Sequence, residues 1–204
     1  TALTTADITI ANQTITVMTS APSTASNGSN FNVAATASSG LPVAITTSGS
    51  CSGGGTSAAV ITMTSGTGTC SVFYNQPGDV NYSAAPQVQE DVTATDSPAF
   101  TSANCASFDV GFAGTFNITA VGNPSTMTIS LSGALPSGIA FSDNGDGTAT
   151  LSGTPAIGSN GTYPLVFTAN NGIPPNGIQN FTLTNTTGHD DTPNGEGSFP
   201  ETDN

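Results

Sequence analysis

The sequence predicts an all-β protein: two tandem β-sandwich domains followed by an acidic C-terminal tail. Three observations carry that expectation. Apolar residues recur at period two in short runs about ten residues apart, the signature of half-buried strands. Residues that suit strands and turns dominate over helix formers, with 58 Ser and Thr, 18 Asn, 24 Gly and 13 Pro among 204 residues. Composition then changes after residue 187, where five of the 13 acidic residues fall in the last 17 positions and Phe199 is the one sizeable apolar side chain.

Taken in order, Ile8 with Ile10 and then Ile15 with Val17 alternate with polar residues and open the first unit, and Phe31 with Val33 continues it. In the second unit the alternating pairs are Ile129 with Leu131, Leu165 with Phe167 and Phe181 with Leu183, and Thr148 to Leu151 reads as a further short strand. Asn144-Gly145 and Asn160-Gly161 mark tight turns, because both residue types tolerate the positive φ that a hairpin needs. These signals place a first sandwich with an N-terminal strand extension at 1–94, a second sandwich at 95–187 and the acidic polar tail at 188–204. Asp96-Ser97-Pro98 is the expected joint. Each sandwich then has roughly 90 residues, enough for a seven-strand unit. Both contain a Leu-Pro element, Leu41-Pro42 and Leu135-Pro136, and both carry a late tyrosine near a turn, Tyr82 and Tyr163. The tail is polar and charged enough to predict disorder.

The N-terminal alternation changes phase. Ile8 and Ile10 occupy even positions, Ile15 and Val17 odd ones, so one regular strand cannot bury both pairs on a single face. Either the strand kinks and crosses to the other sheet of its own domain, or Ile8 and Ile10 complete the open edge of a neighbouring molecule. Ile8 and Ile10 are therefore the candidate subunit contact.

Charge excludes whole classes of function. The chain has no Lys and no Arg, 13 acidic residues, a net charge of −13 and one histidine, His189. Nucleic-acid binding depends on Lys and Arg at phosphates. Phosphate-cradling loops, Schiff-base lysines and basic docking to anionic membranes fail for the same reason. No apolar run approaches the ~20 residues of a membrane helix, so no direct membrane span is expected. The chain opens at Thr1 with no basic-then-apolar leader, which fits a processed or excised mature chain.

The second unit contains Leu135-Pro136-Ser137-Gly138-Ile139-Ala140-Phe141, followed by Asp143-Asn144-Gly145-Asp146-Gly147-Thr148 and Ala149-Thr150-Leu151-Ser152-Gly153-Thr154-Pro155. Gly161-Thr162-Tyr163-Pro164-Leu165 and Gln179 to Thr184 complete the pattern. It resembles the bacterial Ig-like tandem repeat modules of secreted surface proteins over nearly the whole second unit. The first unit resembles a related Ig-like repeat through Gly40-Leu41-Pro42-Val43, Gly68-Thr69-Cys70-Ser71-Val72 and Gly78-Asp79-Val80-Asn81-Tyr82. The resemblance implies Ig-like β-sandwiches of the kind found in stalks and spacers. It identifies no ligand.

Candidate sites are few. Cys51 and Cys70 close a loop of about 20 residues between Thr- and Val-rich strands; a structural disulfide is the expectation, against metal ligation or a redox pair. Three cysteines in a lysine-free, Thr-rich chain point to an oxidising, extracellular or cell-surface setting. Cys105 is the odd cysteine, an unpaired or intermolecular thiol, with a small buried strand residue as the plain reading. Asp143 and Asp146 superficially resemble a calcium loop, but no closing acid follows within 40 residues, and the resemblance implies a hairpin turn there. Gly49-Ser50-Cys51-Ser52-Gly53 has the spacing of a nucleophile elbow without the helix or nearby histidine that such an elbow requires. Tyr82 and Tyr163 are candidates for tyrosine corners. Seven Asn-x-Ser/Thr sequons, at Asn12, Asn27, Asn81, Asn117, Asn160, Asn180 and Asn185, are glycosylation candidates.

No acid–base, nucleophilic or metal constellation emerges, so neither catalysis nor a cofactor is expected, calcium being the one alternative. The sequence reads as an extracellular structural module, a subunit of a surface filament, stalk or sheath that forms a homo-polymer through strand or tail exchange. The alternative is an adhesive or glycan-binding module meeting a glycan or host-surface ligand with its loops.

Overall fold

The computed structural model describes residues 10–187, and these residues form strands with no helix among them. Ile8, His189 and the tail 188–204 lie outside the described residues.

In the N-terminal half the strands are β1 (Ile15–Thr19), β2 (Thr24–Ser26), β3 (Asn30–Ala37), β4 (Ala44–Gly49), β5 (Cys51–Gly53), β6 (Gly55–Thr56), β7 (Ala58–Met63), β8 (Thr69–Asn75) and β9 (Val88–Phe100). One layer runs β1-β3-β7 with β5 on β7; the other runs β4-β8-β9 with β2 parallel to β9. The two-residue β6 pairs with both β4 and β7 and stitches the layers together. Alternation decides which face turns inward. Val33, Ala35 and Ala37 of β3 meet Cys70, Val72 and Tyr74 of β8 in one core with Ile45, Ile61 and Met63.

The C-terminal half contains β10 (Cys105–Asp109), β11 (Gly114–Asn123), β12 (Thr128–Ser132), β13 (Ile139–Asp143), β14 (Thr148–Gly153), β15 (Gly161–Asn170) and β16 (Gly177–Thr186). Its layers are the end of β9 with β11-β14-β13, and β10-β16-β15-β12, with β10 parallel to β16. This second core is aromatic: Phe167 lies 5.1 Å from Phe181 and 5.8 Å from Phe141, and Phe116 lies 5.1 Å from Phe181. Among the described residues the first core has no such cluster and relies on Val, Ile, Ala, Met, Tyr74 and the two half-cystines, with Phe31 at its edge.

The two halves repeat one topology. β1 on β3 corresponds to the end of β9 on β11, and β2 alongside β9 corresponds to β10 alongside β16. The pairs β3–β7, β4–β8 and β8–β9 correspond to β11–β14, β12–β15 and β15–β16.

Asp96-Ser97-Pro98 lies inside β9, which is continuous from Val88 to Phe100. Its first part pairs with β8 through Thr93, and its last part pairs with β11 from Asp96. Pro98 falls where the β9–β11 register shifts, between the pairs Asn123↔Asp96 and Val121↔Ala99. A missing N–H is tolerated at such a break in the ladder. Two asparagines clamp this joint. Asn123 Nδ2 donates to Gly66 O and Ala94 O, both at 2.8 Å, and Asn171 Nδ2 donates to Asp96 O at 2.9 Å and Pro124 O at 3.0 Å. Gly66 is glycine for a steric reason, since a Cβ there would come 2.6 Å from the Asp96 side chain.

Candidate functional site

At the N-terminal pole the chain enters along its own β8–β9 connection. Ala11 forms a parallel bridge with Tyr82, the Ala11 N–H donating to Asn81 O at 2.8 Å and the Ser83 N–H to Ala11 O at 2.9 Å. Two residues on, the buried Gln13 turns inward. Its Nε2 donates to Gln76 Oε1 at 3.0 Å and to Ser83 O at 2.7 Å, and its Oε1 accepts from the Ser39 hydroxyl. Gln76 in turn donates to Pro42 O and accepts from the Gly78 N–H. This amide pair ties the N-terminal stretch to the β3–β4 and β8–β9 connections. It also accounts for the phase change, because odd positions face inward from Gln13 through Ile15 and Val17. Ile10 is left 51% exposed, next to the pole where Val80 is 81% exposed. Gln13 carried no hydrophobic signal, and sequence reasoning missed it.

At the opposite pole three connections are knitted together: the Gly111 N–H donates to Pro155 O and the Ala156 N–H to Ser137 O, both at 2.9 Å. Gly138 permits this approach, with positive φ and a site for Cβ 2.0 Å from Thr154 O. Tyr163 forms a tyrosine corner here, its hydroxyl donating to Ser159 O four residues upstream at 2.9 Å. Tyr82 does not: its hydroxyl makes no hydrogen bond among the described residues, and its backbone N–H donates to Asp79 Oδ1 instead. The buried phenol of the first half is Tyr74, which sequence reasoning passed over. Tyr74 Oη donates to Glu90 Oε2 at 2.7 Å, and that oxygen also accepts the Ala21 N–H at 3.0 Å. Burial above all, then the hydrogen bond and the Glu90 charge, pushes the Tyr74 phenol well up from its ordinary value.

Cys51 and Cys70 are joined by a disulfide with Cα atoms 5.2 Å apart, so the Gly49–Gly53 segment presents no thiol nucleophile. The bond links β5, paired to β7 in one layer, with β8 in the other. Cys105 is free and exposed at the start of β10, which corrects the expectation of a buried strand residue. Buried Phe108 is the inward position of that strand.

Asp143 and Asp146 sit in the β13–β14 hairpin and are occupied by its own donors. Asp143 Oδ1 accepts the Gly145 N–H at 3.2 Å; Asp146 Oδ1 accepts the Thr148 hydroxyl at 2.6 Å and its N–H at 3.0 Å. The Thr148 hydroxyl and then its N–H hold the Asp146 carboxyl below the usual range. Among the described residues no group of three or more His, Cys, Asp or Glu is placed to share a metal ion. Six sequon asparagines are exposed, whereas Asn185 is buried. Its Nδ2 donates to Ser159 O at 3.1 Å and to Ser159 Oγ at 3.2 Å, so Asn185 is withdrawn as a glycan acceptor.

Among the described residues no helix is long and apolar enough to cross a membrane. No protein-family model matches the chain, and no curated protein matches it in sequence. Solved structures do resemble it. The N-terminal eight Ig domains of Down Syndrome Cell Adhesion Molecule match over 86% of this chain at 14% identity and a TM-score of 0.56. The insect immune protein hemolin matches over 83% at 12% identity and a TM-score of 0.50. The chain spans 25% and 45% of those two structures. A glycoside hydrolase family 107 endo-fucoidan hydrolase, of which it spans 29%, matches over 87% of this chain at 11% identity and a TM-score of 0.36. The first two likenesses establish the fold: the sandwiches are Ig-like.

Proposed function

We propose that the chain is a non-catalytic, extracellular structural module, a subunit of a surface filament, stalk or sheath. The observation that carries this reading is the serial arrangement of the two sandwiches. β9 is the last strand of one and the first of the other, so the chain enters at one pole and Thr186 ends β16 at the opposite pole. The Asn123 and Asn171 clamps stiffen that joint. Stiff Ig-like units in series suit a load-bearing or spacing element. The disulfide supports an oxidising compartment. Exposed Ile10 remains available to a neighbouring copy, and with Ile8 forms the proposed strand-donating segment.

Negative-stain microscopy of the purified protein tests the reading. Fibres or end-to-end rods are expected, and removal of residues 1–11 is expected to shorten them. Monodisperse single particles at all concentrations would favour the adhesive alternative, in which isolated modules meet a glycan.

A further inference from the structure

Among the described residues, the two poles of the molecule carry the counterparts of the connections that form its internal joint. Within the chain, Asn123 at the end of β11 donates to Gly66 O in the β7–β8 connection of the first sandwich, and Asn171 in the β15–β16 connection donates to Asp96 O of β9 and to Pro124 O in the β11–β12 connection. By the shared topology, the counterpart of the β7–β8 connection is the β14–β15 connection at the C-terminal pole. The counterparts of the other two are the β3–β4 and β8–β9 connections at the N-terminal pole.

Both poles carry exposed apolar side chains. Ile157 in the β14–β15 connection is 94% exposed, and Phe112 in the β10–β11 connection is 66% exposed; the Gly111–Pro155 and Ala156–Ser137 bonds fix their loops beside each other. The N-terminal pole offers Val80 and Ile10. No acidic residue occurs in the segments 110–113, 133–138 or 154–160, and Asp109 beside them accepts the Thr186 hydroxyl at 2.6 Å. That matters in a chain with 13 carboxylates and no Lys or Arg, because two copies cannot form Lys or Arg ion pairs and any carboxylate at the contact repels. Apolar burial and hydrogen bonding are what remain. Asp79, the acid of the N-terminal pole among the described residues, turns into its own loop and accepts the Asn81 and Tyr82 N–H groups.

We infer that the C-terminal pole, through Phe112 and Ile157, is the docking surface for the N-terminal pole of a second copy of this chain, centred on Val80 and Ile10. The contact repeats the internal joint between molecules. It is heterologous, and translation along the molecule lets it propagate into a fibre. The inference rests on the filament reading and names its contact.

Sedimentation velocity over a concentration series tests it with two full-chain variants, F112S/I157S and I10S/V80S. All four positions are exposed, so both variants are expected to keep the wild-type thermal melt. Each alone is expected to raise the concentration for half-assembly at least ~10-fold, as loss of a large apolar side chain from a contact does. Mixed in equal amounts they are expected to form a 1:1 dimer and nothing longer, since one variant keeps only its N-terminal pole and the other only its C-terminal pole. Fibres that form equally well from both variants would overturn this contact and leave the filament reading standing. Loss of assembly in F112S/I157S alone would indicate a symmetric pole-to-pole dimer and would also overturn it. A wild-type chain that stays monomeric throughout would overturn both.

Discussion

Gln13 and Gln76, 63 residues apart, share a buried hydrogen bond of 3.0 Å that anchors the start of the fold to the β8–β9 connection. The other two polar atoms, Gln13 Oε1 and Gln76 Nε2, are engaged by Ser39 and Pro42, and Ser83 and Gly78 add a second bond each to Gln13 Nε2 and Gln76 Oε1. The pair works as a latch on the N-terminal stretch, so its loss acts on the strand entry where Ile10 is presented.

Gln13→Leu is accordingly expected to cost about 1–3 kcal/mol, because the change leaves buried partners unpaired. A double-mutant cycle with Gln76→Leu should return a coupling of roughly 0.5 kcal/mol or more by chemical denaturation. Strictly additive single variants would show that the two amides do not act together.

Replacing Cys51 and Cys70 by alanine is expected to destabilise the N-terminal sandwich by about 3 kcal/mol on the chain-entropy estimate. The effect should be local. Denaturation followed by hydrogen exchange should show lower protection in β3, β7 and β8, with β15 and β16 unchanged at low denaturant. The second sandwich has its phenylalanine cluster, whereas the first has the disulfide tying its layers. Equal loss of protection in both halves would mean that the joint makes them one cooperative unit.

Alkaline pH isolates Tyr74. The chain has no Lys or Arg to add to an alkaline titration. The folded-state value of Tyr74 lies above the unfolded value. The unfolded state therefore loses the proton first, and the stability from this group is full below about pH 10 and declines as pH rises beyond it. The expected slope is about −1.4 kcal/mol per pH unit above pH 10. Tyr74→Phe should flatten that decline while lowering stability at neutral pH, where the bond to Glu90 is lost. An unchanged alkaline slope in Tyr74→Phe would place the titration elsewhere.

Period-two alternation is a property of neighbouring residues, so the sequence alone determined where chain lies extended and which apolar residues of the alternating pairs face inward. Leu165 with Phe167 and Phe181 with Leu183 are buried as their spacing implies, and Asn144-Gly145 turns the chain between β13 and β14. The absence of Lys and Arg likewise excluded functions that depend on those side chains whatever the fold. Residues whose environment comes from a distant strand escaped that reading. Asn185 and Asn180 have the same local sequon, yet only Asn185 points inward, where Ser159 receives its amide. Asp96-Ser97-Pro98 has the composition of a joint, and that composition did not reveal that the joint lies within one continuous strand, where pairing with β8 ends at Thr93 and pairing with β11 begins at Asp96. Gln13 looked like an interruption of an apolar pattern and became an inward position because Gln76, Ser39 and Ser83 supply every hydrogen bond it needs. Local pattern sets backbone direction; whether a polar side chain is buried depends on hydrogen-bond partners that only tertiary packing brings within reach.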